Sequence, residues 1–244
     1  MATIAAPRAR GSAERVFYFG MTAAMALTVF VGFARSFFLR PLFPDFPAPA
    51  EPFFFFHGVA FAAWFVFLVV QSALVTARRT SLHRRLGWWG AGLTVAMIGL
   101  GIHGSLVAAR RPGGFVGIPL PGLQFLAMPI FDIVLFGAFV ALAVLRRRDT
   151  QAHKRWMLLA TVNVLDAAVA RWPGVGELGP PGFFLLADLF IVALAIWDLK
   201  TRGRLHTATA WGGALIVLSQ PLRLALSGTA AWLAFAGWLA GLPI

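Results

Sequence analysis

Apolar residues run along this chain in blocks of about 20, the length that crosses the hydrocarbon of a bilayer as a helix. Seven blocks qualify, over residues 16–38, 53–76, 87–109, 124–145, 156–172, 182–199 and 208–226. The fifth and sixth are the shortest. A last apolar stretch, 229–243, is too short to cross. Its Trp232, Phe235, Leu239 and Leu242 recur at helical spacing, which predicts an interfacial or docking helix. The segment 1–15 carries Arg8, Arg10 and Arg15 and reads as a disordered basic N-terminus. No small-residue cleavage pattern follows the first block, so it reads as an uncleaved span. Residues 16–226 then make one all-α transmembrane domain. Its Pro/Gly-rich connections, such as Pro112-Gly113-Gly114 with Pro119 and Pro121, and Gly179-Pro180-Pro181-Gly182, read as tight turns.

Composition agrees. The chain is 59% hydrophobic and 12% charged, against about 25% charged in soluble domains. It has no cysteine, which excludes disulfides, thiolate metal sites and a cysteine nucleophile. The net charge of +12 is spread in short clusters between blocks. That pattern sets topology and contacts anionic lipid headgroups, and it offers no continuous face for nucleic acid. One set of loops holds Arg8, Arg10 and Arg15, then Arg78, Arg79, Arg84 and Arg85, then Arg146, Arg147, Arg148, Lys154 and Arg155, then Lys200, Arg202 and Arg204. The other set holds Arg35, Arg40, Arg110, Arg111 and Arg171. The positive-inside rule therefore puts the N-terminus in the cytoplasm. Seven spans put the C-terminus in the periplasm of a bacterial inner membrane.

Five ionisable residues lie inside the blocks: His57, His103, Asp132, Asp166 and Asp188. Each sits about 6–12 Å below the outer interface at helical rise. Such groups are costly in hydrocarbon unless paired or hydrated, so they mark a functional pocket by default. Asn163 shares a helix face with Asp166, and Arg171 ends the same block. Gln220 and Arg223 flank Pro221, which removes a backbone donor. Four readings compete. The polar groups pair and merely hold helices together. His57 and His103 are axial ligands of a b-type haem in an electron carrier, with the small residues Gly58, Gly101 and Gly104 beside them. The two histidines and three aspartates hold a divalent metal. The aspartates are proton sites of a small-solute carrier, with Arg171 or Arg223 holding an anionic solute. An accessory subunit of a larger membrane complex, docking by its apolar faces on a protein partner, is a further class.

His83, His153 and His206 open the third, fifth and seventh blocks in a weak repeat, Leu82-His83-Arg84-Arg85, Ala152-His153-Lys154-Arg155 and Leu205-His206-Thr207. A metal there is disfavoured by the neighbouring basic side chains. No lysine lies in the seventh block, which removes a retinal Schiff base. No nucleophile elbow or phosphate loop is present.

His57, the segment Leu82-His83-Arg84-Arg85-Leu86-Gly87, the segment His153-Lys154-Arg155-Trp156-Met157-Leu158-Leu159 and the tail Ser219-Gln220-Pro221-Leu222-Arg223-Leu224 together resemble a family of uncharacterised bacterial multi-pass inner-membrane proteins. The resemblance covers the chain from about residue 50 and implies fold and location, with no activity to carry over. A looser similarity links the intramembrane histidine pair to the bis-histidine b-type membrane cytochromes. This chain has one such pair, where those proteins commonly hold two haems.

Overall fold

The computed structural model describes residues 7–47, 51–115, 118 and 120–241. Among them every regular element is helical. Helix α1 spans Pro7–Phe33 and continues through a π-helical turn, Ala34–Phe38. Then come α2 (Phe53–Thr76), α3 (Thr80–Arg110), the single turn α4 (Gly122–Phe125) and α5 (Ala127–Leu145). The chain ends with α6 (Thr150–Asn163), the short α7 (Asp166–Val169), α8 (Gly179–Arg202), α9 (Thr207–Ser227) and α10 (Ala230–Gly241). The main packing neighbours are α1 with α2, α2 with α3, α3 with α5, and α5 and α9 with α6.

Five of these units are long and apolar enough to cross a membrane: Gly11–Phe38, Phe53–Thr76, Thr80–Arg110, Gly122–Leu145 and Gly176–Arg202. A sixth joins α9 to α10 across an 87° bend. Only 22% of the most apolar window of α2 is buried inside the protein. An apolar surface of that extent is stable where lipid covers it.

Two expectations change. The fifth block, 156–172, is broken. Helix α6 ends at Asn163, Val164 and Leu165 form a turn, and α7 restarts at Asp166. The cause is local: the Asp166 carboxylate accepts from the Ala167 N–H at 2.6 Å, a side-chain bond that competes with helix continuation. The first turns of α6, from Thr150 to Arg155, are also polar, so its apolar length is short. The expected disorder of 1–15 also fails from Pro7 onward. Pro7 opens α1, where its missing N–H costs nothing, and Glu14 is tied to Lys154 and Gln151. Residues 1–6 lie outside the described residues. Helix α10 packs on the bundle: Trp232 is buried and donates its indole N–H to the Leu123 carbonyl at 2.9 Å. Leu242 and Pro243 of the predicted docking stretch lie outside the described residues.

The core is aromatic and sulfur-rich. Trp64 and Phe136 are fully buried and meet edge to face at 5.0 Å between ring centres. Trp64 also donates to the Thr161 hydroxyl at 3.2 Å. Met25, Met97, Leu126 and Phe139 belong to the same buried cluster. A Cβ at Gly32 would collide with the Ala168 carbonyl, so glycine is what lets α1 lie against α7. This contact steadies the break in the fifth block.

Candidate functional site

The break places its polar side chains in the middle of the bundle. Asn163 ends α6 and Asp166 begins α7, and both are buried. Asp132 comes from α5, Asp188 from α8, and Gln220 and Arg223 from α9. All six line one cavity, closed by Val162, Phe184, Ala187 and Ile216. Its volume of ≈ 10 Å³ is about that of one water site.

Arg223 is 1% exposed and forms an ion pair with Asp132. It also donates to the Ser219 hydroxyl at 2.8 Å and lies 5.2 Å from the centre of the Phe184 ring. A charge stripped of water in this way needs such a partner. The Asp132 and Asp166 carboxyls line the same cavity. Two carboxyls held together out of water are better placed to keep a proton than two solvated ones. Asn163 donates its amide N–H to the Asp132 backbone carbonyl at 2.6 Å. Flipping the amide would set two oxygens face to face, so its orientation is fixed. Gln220 donates to Asp188 at 3.0 Å, and Asp188 is half-buried.

The network is incomplete. The Asn163 Oδ1 and the Arg223 Nε are buried without a partner. Each such atom costs about 1–3 kcal/mol. One is an acceptor and the other a donor, and one water-sized occupant could serve both. The arrangement can therefore hold a proton between carboxyls, exchange it with a small polar occupant, and present a guanidinium to an anion.

The two histidines stand elsewhere. His57 places Nδ1 3.2 Å from the Leu100 carbonyl and stacks on Phe61 at 4.3 Å. His103 packs against Phe53 at 4.4 Å, and the same Phe53 ring lies 6.2 Å from His57. Neither lines the cavity. A Cβ at Gly104 would meet His57 at 3.1 Å and Phe53 at 3.2 Å, so these two side chains pack close against that glycine. Among the described residues no group of three or more His, Asp or Glu side chains is placed to hold a metal ion. The five-residue ligand set expected from the sequence is thus not assembled. Arg171 is also outside the lining, exposed over Phe33 at 4.5 Å and bonded to the Ala167 carbonyl.

Sequence reasoning missed a second buried cluster at the other end of α6. Arg155 is 1% exposed and Asp198 is 0% exposed, and they form an ion pair. Asp198 also accepts from the Thr209 hydroxyl at 2.6 Å and the His206 N–H at 3.0 Å. Arg155 further donates to the carbonyl and side chain of Gln151 at 2.8 and 2.7 Å. The available signal was Asp198 itself, an acid beside the basic run Lys200, Arg202 and Arg204.

In comparison with known proteins, no family model, no curated protein and no solved structure matches the chain.

Proposed function

We propose that this chain is a proton-coupled carrier of a small polar solute in a bacterial inner membrane. On this reading it crosses seven times, with the N-terminus cytoplasmic and the C-terminus periplasmic. The broken pair α6–α7 is the fifth crossing and α9 the seventh. Anionic headgroups meet the basic loops. The observation that carries the reading is the convergence of Asp132, Asp166, Asp188, Asn163, Gln220 and Arg223 on one cavity at a helix break. Interrupted helices whose polar groups face a cavity are the usual way to build a solute or ion site inside a bilayer. Asp132 and Asp166 share the coupled proton. Arg223 neutralises Asp132 and offers the positive charge for an anionic group. Asp188, half-buried, is the most exposed of the three carboxyls and the one that exchanges with the outside. The earlier resemblance to multi-pass bacterial membrane proteins is in keeping with this location.

Reconstituted protein on a sensor-supported membrane tests it without knowledge of the solute. A pH jump is expected to give an electrogenic proton-binding transient in the wild type. Asp166→Asn is expected to abolish it while leaving the protein monodisperse. A transient absent from the wild type, or unchanged in Asp166→Asn, sinks the reading.

The haem reading keeps one observation in its favour. A His57 Nδ1 facing a backbone carbonyl is the orientation in which the other ring nitrogen serves as a ligand. It requires Phe53 to move off the His103 ring, on which it packs at 4.4 Å. A Soret band that shifts on reduction and disappears in His57→Ala would favour it over the carrier.

A further inference from the structure

We infer that His83 and His153, with Gln71 beside them, form a binding site for a single transition-metal ion of the zinc class. The sequence argued against a metal at this end because basic residues surround the histidines. The structure removes most of that objection. Lys154 is paired with Glu14, and Arg155 with Asp198. Arg84 is exposed and solvated. The third histidine is used otherwise: His206 caps α9 by accepting the Ala208 N–H at 3.0 Å.

The two that remain are brought together from α3 and α6. Their ring centres lie 6.3 Å apart, nearly perpendicular at 85°. A four-coordinate ion with bonds of about 2.0–2.1 Å holds two imidazole centres roughly 5 Å apart, so the rings close by about 1 Å to share one. His153 Nδ1 is held 2.8 Å from the Ala143 carbonyl, so it is the donor and Nε2 carries the free lone pair. That backbone anchor is the usual support of a metal-ligating imidazole. His83 Nδ1 is buried with no hydrogen-bond partner.

Gln71 is the second, independent observation that points to a ligand. It is only 6% exposed, and both its Oε1 and its Nε2 lack partners. Its backbone carbonyl lies against the His83 ring. A buried carboxamide with neither end satisfied is costly. An ion held by the two imidazoles takes the Gln71 oxygen as third ligand and leaves a fourth position for water. The site is separate from the carboxylate cavity, about 15 Å away along α6 from His153 to Asn163, and stands whether or not the carrier reading does.

The test uses the full-length protein purified in detergent with a tag that contains no histidine. Isothermal titration with Zn²⁺ is expected to show one site per chain with a dissociation constant below 1 μM (order of magnitude,). Co²⁺ is expected to give the visible bands of a low-coordinate site. His83→Asn and His153→Asn are each expected to weaken Zn²⁺ binding at least ~100-fold, and Gln71→Leu roughly 10-fold. His206→Ser should leave it unchanged. His83→Cys guards against misfolding: it keeps a ligand and should restore binding with a new thiolate-to-cobalt absorption. Absence of stoichiometric Zn²⁺ binding to the wild type, or binding that survives both histidine substitutions, overturns the proposal.

Discussion

Two buried arginine–aspartate pairs sit at the two ends of α6, and they are finished differently. Around Arg155 and Asp198 nothing is left over. The carboxylate receives Arg155, the Thr209 hydroxyl and the His206 N–H, and the guanidinium also reaches Gln151. Around Arg223 and Asp132 the Arg223 Nε and the Asn163 Oδ1 have no partner, two further carboxyls crowd in, and a cavity remains. A complete network holds helices in place. An incomplete one at similar burial is held for something that completes it. The first ties α6, α8 and α9 together, and the second is the one on which the proposed carrier role rests.

The largest expected effect follows from the completed network. Asp198→Asn or Arg155→Leu leaves one charge buried without its partner, which costs about 3–5 kcal/mol. Thermal unfolding in detergent should show a steep fall for either change alone. The double variant Arg155→Leu/Asp198→Leu should recover much of the loss, because no uncompensated charge remains. If either single change proves as mild as a surface substitution, the contrast between the two ends is broken.

The incomplete network should respond in the opposite sense. Asn163→Ala deletes the 2.6 Å bond to the Asp132 carbonyl but also deletes an unpartnered oxygen. Loss and relief offset, so stability should change by less than about 1 kcal/mol. The proton-binding transient, by contrast, should fall several-fold. Stability and function are thereby separated at Asn163 and joined at Asp198. A large stability loss in Asn163→Ala with an intact transient would reverse the assignment of roles.

Much of the architecture was legible because it rests on apolar length. Blocks two, four and six appear as helices within a few residues of their expected bounds, and block three starts earlier, at Thr80 instead of 87. The fifth was read as continuous because its residues are apolar enough; what breaks it is one bond from Asp166 to its own neighbour, which no hydropathy pattern records. Helix rotation was likewise beyond the sequence. The three aspartates, Asn163, Gln220 and Arg223 do converge, while His57 and His103, at similar predicted depth, turn to Phe61 and Phe53. Depth follows from counting residues. Which face a side chain occupies depends on neighbours contributed by other helices. Arg155 was missed for the same reason: it stands in a basic run that reads as a solvated surface, and only Asp198 from α8 shows it to be buried.

The smallest expected effect lies at the edge of the completed network, outside the spans. His206 caps α9 with a neutral ring, its Nδ1 accepting from Ala208. Burial first, and then the nearby Arg155 and Arg202 charges, hold its pKa below the usual histidine value, against the weaker pull of Asp198 and Asp149. The unfolded chain therefore takes up this proton before the folded one does. Stability from the cap is fully present above the ordinary histidine range near pH 6.5 and falls as pH drops through it toward the lower folded value. Protonation turns the accepting nitrogen into a donor and breaks the cap. His206→Ser keeps an acceptor at the same position without the titration. Unfolding temperatures measured between pH 8 and pH 5 should decline for the wild type and stay flatter for His206→Ser. Asp149 caps α6 by accepting from Gln151 and Ala152, and those bonds lower its pKa, so its own contribution is lost only at still lower pH, in the carboxylate range. The two caps thus titrate in separate windows. A decline between pH 8 and pH 5 that persists in His206→Ser would move the sensitivity away from this cap and into the carboxylate cavity, where the other, unfinished network lies.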